Sequence, residues 1–118
     1  MPLRVLIVDD HETFRRLAAR VLMASGFAVV GEAVDAASAI RQAARLRPDV
    51  VLLDVMLPDR SGPEVARELV AEPYAPRVVL TSSRSRSDFG RGLPWPGCDF
   101  IPKHQLSGAS LAALLSDS

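Results

Sequence analysis

The chain has 118 residues, 48% of them hydrophobic, and its 14 lysines and arginines balance 14 aspartates and glutamates. That length suits one domain, residues 1–118, with a single closed core, and a net charge of zero excludes a whole-molecule field that would draw nucleic acid or an anionic membrane. The lone cysteine, Cys98, excludes an internal disulfide. No charged-then-apolar leader opens the sequence, and charge or proline interrupts every apolar run, so the expectation is a cytoplasmic domain without a membrane span.

The first element is "LRVLIV", a continuous apolar run rich in branched residues, as expected of a strand covered on both faces of a parallel sheet. Phe14, Leu17, Ala18, Val21 and Leu22 then fall at the spacing of an amphipathic helix, with Gly26 as its stop. "FAVV" reads as a second strand. Ala36, Ala39, Ile40, Ala43 and Ala44 repeat the helical spacing behind Asp35, a predicted N-cap. "VVLL" gives a third strand, and "SGPEVARELV" a third helix in which Ser61 and Glu64 have capping-box spacing and Pro63 lies in the first turn. "RVVL" and the short "CDFIPK" complete the strands. "LSGASLAALL" offers a last helix, capped by Ser107, with Leu111, Leu114 and Leu115 as its buried stripe.

Strands alternating with helices imply a three-layer α/β sandwich around a parallel sheet, because each crossover helix lies back on the sheet. Ligands of such folds bind beyond the carboxyl ends of the strands. Asp9 and Asp10 follow the first strand, Asp54 ends the third, Thr81 ends the fourth and Lys103 follows the fifth, so these residues are expected at one edge. Three close carboxylates oppose one another's ionisation, and a divalent cation relieves the cost. Oxygen donors favour magnesium over zinc, and magnesium commonly shares carboxylates with a phosphate. Lys103 then supplies a compact cation and Thr81 a hydroxyl donor for phosphoryl oxygens. A carboxylate also attacks phosphorus to give an aspartyl phosphate, and Asp54, standing apart from the paired acids, is the candidate nucleophile.

"LIVDDHETFRRLAARVL", "VLLDVMLPDRSG", "VVLTSS" and "FIPKHQLS" resemble the signature segments of the receiver domain of two-component response regulators, in the right order and across essentially the whole chain. The resemblance implies a flavodoxin-like fold with five strands in order 2-1-3-4-5. It implies that Asp54 is the phosphoacceptor, that Asp10 ligates Mg2+ directly and Asp9 through water, and that the Met56 carbonyl is a backbone ligand. Thr81 and Lys103 match the phosphoryl-binding hydroxyl and ammonium. Phe100 matches the switch aromatic that turns inward when Thr81 is drawn to the phosphoryl group. The implied donor is a histidine kinase or a histidine phosphotransfer protein. The implied output is a protein-binding surface for an unknown downstream target, with no nucleic acid bound by this chain itself. Catalysis is confined to transfer to, and hydrolysis from, its own aspartate.

The segment "SSRSRSDFGRGLPWPGCD" departs from the family pattern, because its prolines and glycines oppose the regular fourth helix expected there. An atypical or shortened fourth helix is the expectation for residues 84–98. Trp95 reads either as an interface anchor or, more plainly, as a loop residue packed on its own core. Arg84, Arg86 and Arg91 suit an acidic partner or nucleic acid, or, more plainly, are simply solvated. His11 reads as a helix start rather than a ligand, His104 as an exposed side chain, Cys98 as half-buried, and Asp59 as a turn or cap residue.

Two other classes fit less well. An aspartate-nucleophile phosphatase of the haloacid dehalogenase type needs two acids separated by one residue, whereas Asp9 and Asp10 are adjacent. A flavin-binding flavodoxin needs a phosphate-cradling loop where this chain has acids. Within the receiver reading, a stand-alone regulator, a non-switching binding module and the N-terminal part of a DNA-binding regulator remain open.

Overall fold

A computed structural model of the chain describes residues 2–83 and 98–116. The elements in order are β1 (Arg4–Val8), α1 (Glu12–Ala24), β2 (Ala28–Ala33), α2 (Ala36–Leu46), β3 (Val50–Asp54), α3 (Gly62–Val70), β4 (Arg77–Ser82), β5 (Cys98–Pro102) and α4 (Gly108–Ser116), with a 3-10 turn at Lys103–Gln105 before α4. All pairings are parallel, and the strands lie side by side as β2-β1-β3-β4-β5. The expected sandwich and strand order are therefore present. The altered helix and Trp95, Arg84, Arg86 and Arg91 lie outside the described residues.

Strand alternation divides the core in two. Leu6, Val8, Val51, Leu53, Val78 and Leu80 pack against the alanines of α2 and against Val65, Ala66 and Leu69 of α3. Val5, Ile7, Val50, Leu52 and Val79 face the other way, onto Ala18, Ala19 and Leu22 of α1 and Leu111 of α4. The central strand β3 is buried throughout.

Helix ends follow the signals in the sequence. Asp35 caps α2 in a reciprocal box with Ser38, its Oδ1 accepting from the Ser38 amide at 2.8 Å. Ser61 caps α3 through the Glu64 amide at 3.3 Å, but the Glu64 carboxylate accepts a hydrogen bond from the Ser61 hydroxyl at 3.0 Å instead of reaching back to the backbone, so half of that box forms. The Ser107 hydroxyl accepts from the Ser110 amide at 2.9 Å, as expected of the last cap. Gly26, at φ +93°, follows the end of α1 in the left-handed region that glycine tolerates.

Three expectations are corrected. Leu17 is 55% exposed, because Ala18 and Ala19 let α1 approach the sheet closely and turn the buried stripe toward Arg15, Ala19 and Leu22. Ala44 lies outside the buried stripe of α2, which is confined to Ala36, Ala39 and Ala43; these small side chains set the helix near the sheet on a narrow face. Of the α4 stripe Leu111 alone is fully buried, with Leu114 and Leu115 half-covered near the helix end. No described helix is long and apolar enough to cross a membrane.

Candidate functional site

The alternation that builds the core also aims the site. Val5 and Ile7 face α1 and α4, so Asp9 continues that face one step beyond β1; Asp54 does the same after Val50 and Leu52, and Thr81 after Val79. Asp54 and Thr81 are direct register partners on β3 and β4. Side chains that would extend the core are thus replaced, at the carboxyl ends, by polar ones. Asp9, Asp54 and Thr81 are buried.

Lys103, entering from the turn after β5, closes the arrangement. Its Nζ stands 2.7 Å from Asp9 Oδ2 and 3.2 Å from Asp54 Oδ2. The Asp9 contact is an ion pair without hydrogen-bond alignment, since Oδ2 accepts no directed bond. Asp54 Oδ1 accepts the Met56 amide at 3.1 Å. Gly62 presses on this turn from α3: a Cβ there would fall 2.2 Å from the Asp54 carbonyl oxygen, so no larger residue fits behind the end of β3. The Thr81 hydroxyl is buried and has no hydrogen-bond partner among the described residues, a costly state for a polar group in a native core.

Charge in the site is unbalanced. Burial pushes the Asp54 carboxyl above its ordinary value, and the Asp9 charge adds to this; the Met56 amide and Lys103 recover only part. Burial alone would lower the Lys103 ammonium, but its contact with Asp9 and the charge of Asp54 outweigh it, so the lysine is held more firmly protonated. Two carboxylates share one ammonium: the ammonium gains, while Asp54 loses more than it recovers.

Asp10 is partly exposed, its carboxylate 39% accessible. Carboxylate oxygens of Asp9, Asp10 and Asp54 and a ring nitrogen of His11 lie within 4.8 Å of one another, a donor set able to hold a cation. Above them a cleft of about 330 Å³ opens between Asp10, His11, Asp54, Met56, Ser82 and Lys103. Phe100 does not join the cluster. It pairs with Leu80, one position out of register with Thr81, and packs on the α2–α3 side of the sheet.

Several participants were not read from the sequence as such. His11 precedes α1, as expected, but makes no side-chain cap; its Nδ1 lies 3.1 Å from Asp9 Oδ1 and 3.2 Å from Asp10 Oδ1. Arg15 donates to the Asp9 carbonyl at 2.8 Å and to Glu32 at 3.0 Å, pinning the acid-bearing turn between α1 and β2. Asp59 is a cap, but of α2: its carboxylate accepts the Ala36 and Ala37 amides at 2.8 and 3.1 Å. The adjacency of His11 to the acids was a usable signal; the other two contacts depend on tertiary register. His104 is exposed and Cys98 half-buried, as expected.

The chain belongs to the response regulator receiver domain family, whose model matches residues 5–114. It is 40% identical over 103 residues to a protein-glutamate methylesterase/protein-glutamine glutaminase 2 of Anaeromyxobacter dehalogenans, covering 86% of this chain and 30% of that protein. It is equally 40% identical over 102 residues to the DNA-binding response regulator MtrA of Mycobacterium tuberculosis, covering 85% of this chain and 43% of MtrA. The chain thus spans less than half the length of these relatives. Among solved structures, the signal receiver domain of NarL from Mycobacterium tuberculosis superposes with a TM-score of 0.83 at 30% identity, covering 98% of this chain and 95% of that one. The class is therefore set: a receiver domain, the phosphoacceptor signalling module of two-component systems.

Proposed function

We propose that Asp54 takes the phosphoryl group. The observation that carries this reading is the Asp54 carboxylate at the end of the central strand, bound to Lys103 and lying beside the buried hydroxyl of Thr81, which has no partner among the described residues. An Asp54 oxygen attacks phosphorus, the bond from phosphorus to the donor's imidazole nitrogen breaks, and the imidazole leaves with a proton. Lys103 and the Thr81 hydroxyl then have phosphoryl oxygens to serve, which would satisfy the buried hydroxyl. The later attack of water on the aspartyl phosphate returns the carboxylate and releases phosphate.

The oxygen-rich donor set and the raised Asp54 carboxyl fit a hard divalent cation. Asp10, Asp54 and the Met56 carbonyl would hold Mg2+, with Asp9 reaching it through water. The ion supplies charge neutralisation during transfer. The donor is a histidine kinase or histidine phosphotransfer protein, and the catalysis is confined to the chain's own aspartate. Thr81 and Phe100 act as the switch toward a downstream protein target.

A second reading concerns context. Because MtrA is more than twice the matched length, the receiver also suits the regulatory part of a longer DNA-binding regulator, in which another domain contacts DNA.

Intact mass spectrometry after incubation with Mg2+ and acetyl phosphate tests the site. The expected result is a gain of one phosphoryl group that requires Mg2+ and disappears in Asp54→Ala. A gain that persists in Asp54→Ala, or no gain with either acetyl phosphate or a phosphorylated donor protein, overturns the assignment. NMR of the same sample reads the switch, which is abandoned if the Phe100 signals do not move.

A further inference from the structure

Lys103 is the only lysine in the sequence, and its surroundings are of two kinds. Two sides of the ammonium face the carboxylates of Asp9 and Asp54. Beneath it lies the ring of Phe14, from the first turns of α1, with Nζ 4.7 Å from the ring centroid. The lysine side chain is only 15% exposed, so little water competes for the ammonium. Phe14 itself packs on the core between α1 and the sheet, and its neighbour Arg15 is tied to the Asp9 carbonyl and to Glu32. The ring is therefore fixed to the same turn that carries the acids.

Resting on the reading of Asp54 as acceptor, we propose that Phe14 is a positioning residue for phosphoryl transfer, acting through Lys103. A flexible four-carbon stem leaves the ammonium many places to go, and the negative face of an aromatic ring attracts it most strongly where water is sparse. The ring also has no lone pair aligned for a hydrogen bond. It supports the cation without claiming any of its three N–H donors, so Lys103 passes from a carboxylate oxygen to a phosphoryl oxygen without first breaking a competing bond. A polar residue in the same place would hold the ammonium back, and an aliphatic one would leave it unsupported. The effect belongs to the transfer step and leaves the cation ligands untouched.

The test compares Phe14→Leu, Phe14→Tyr and a pentafluorophenylalanine replacement, which keeps the ring's shape while reversing its quadrupole. The rate of acetyl phosphate-dependent mass gain at saturating Mg2+ is expected to fall about three- to tenfold in the Leu and fluorinated forms and to stay near the wild type in the Tyr form. Magnesium affinity by calorimetry stays unchanged in all of them. Equal rates throughout, or a Tyr form as slow as the Leu form, overturn the proposal, and the fluorinated form separates lost packing from lost attraction. With one lysine in the chain, a single set of ε-methylene signals reports the geometry independently, lying upfield under the ring and reverting in Phe14→Leu. If the wild type takes no phosphoryl group at all, the acceptor reading has failed and the role in transfer falls with it. An unshifted methylene in a phosphorylatable wild type overturns the Phe14 proposal alone.

Discussion

At the scale of single residues, the site is a place where the core's own logic is interrupted. Asp9, Asp54 and Thr81 occupy positions that strand alternation would otherwise give to valine or leucine. Burial raises the Asp54 carboxyl above its ordinary value, with the Asp9 charge in support, and the sign of this shift has a consequence for stability. A carboxyl whose folded value exceeds its unfolded one makes folding progressively less favourable as pH rises from the unfolded value through the folded one. At neutral pH and without divalent cation, Asp54→Asn is therefore expected to raise the melting temperature by a few degrees. Added Mg2+ should stabilise the wild type and leave Asp54→Asn nearly unchanged. Calorimetric melts with and without Mg2+ decide this, and a variant that melts below the wild type in the absence of Mg2+ would contradict it.

At the scale of elements, the loop after β3 and the start of α2 are joined by one carboxylate. Asp59 takes the Ala36 and Ala37 amides while Asp35 takes the Ser38 amide, so two acids serve one helix terminus. The Ser38 hydroxyl and amide hold Asp35 below its ordinary value, and the Ala36 amide chiefly does the same for Asp59. Lowered carboxyls contribute stability that is present above their unfolded value near 3.8 and is lost as pH falls through the folded values. In Asp59→Asn, the loss of stability between pH 5 and pH 3 should be smaller than in the wild type, because one of the two titrating caps is gone. Urea midpoints at the two pH values measure it; equal losses would remove Asp59 from the cap.

How much of this was legible follows from the range of each interaction. Asp35, Ser61, Ser107 and Gly26 were readable because capping is decided within four residues. The strand-end acids were readable because an acid directly after a buried run has one place to go. Asp59 reads from sequence as a turn or cap residue, with no means of assigning it to α2, since its partners lie 22 and 23 residues away. The Arg15 bond to the Asp9 carbonyl is set by a turn whose dihedrals no residue type dictates. Leu17 misled because helical spacing alone does not show which flank of the stripe small residues will draw inward.

At the scale of the whole molecule, two cores share one sheet, and β3 stands at the middle of it. Every residue of that strand is buried, and it is hydrogen-bonded to β1 on one side and β4 on the other. β2, by contrast, is an edge strand with four of its six residues only partly covered. Amide exchange should follow that order, with Leu52 and Leu53 exchanging only through global opening and β2 opening more readily. Faster exchange in β3 than in β2 would disprove it. The proposed acceptor, Asp54, is thus attached to the last part of the chain to come apart. Fraying of β2 leaves the carboxylate end of β3 in place, so molecules warmed to the point where only β2 opens are expected to keep the proposed phosphorylation, whereas opening of β5, which leads into Lys103, is expected to remove it.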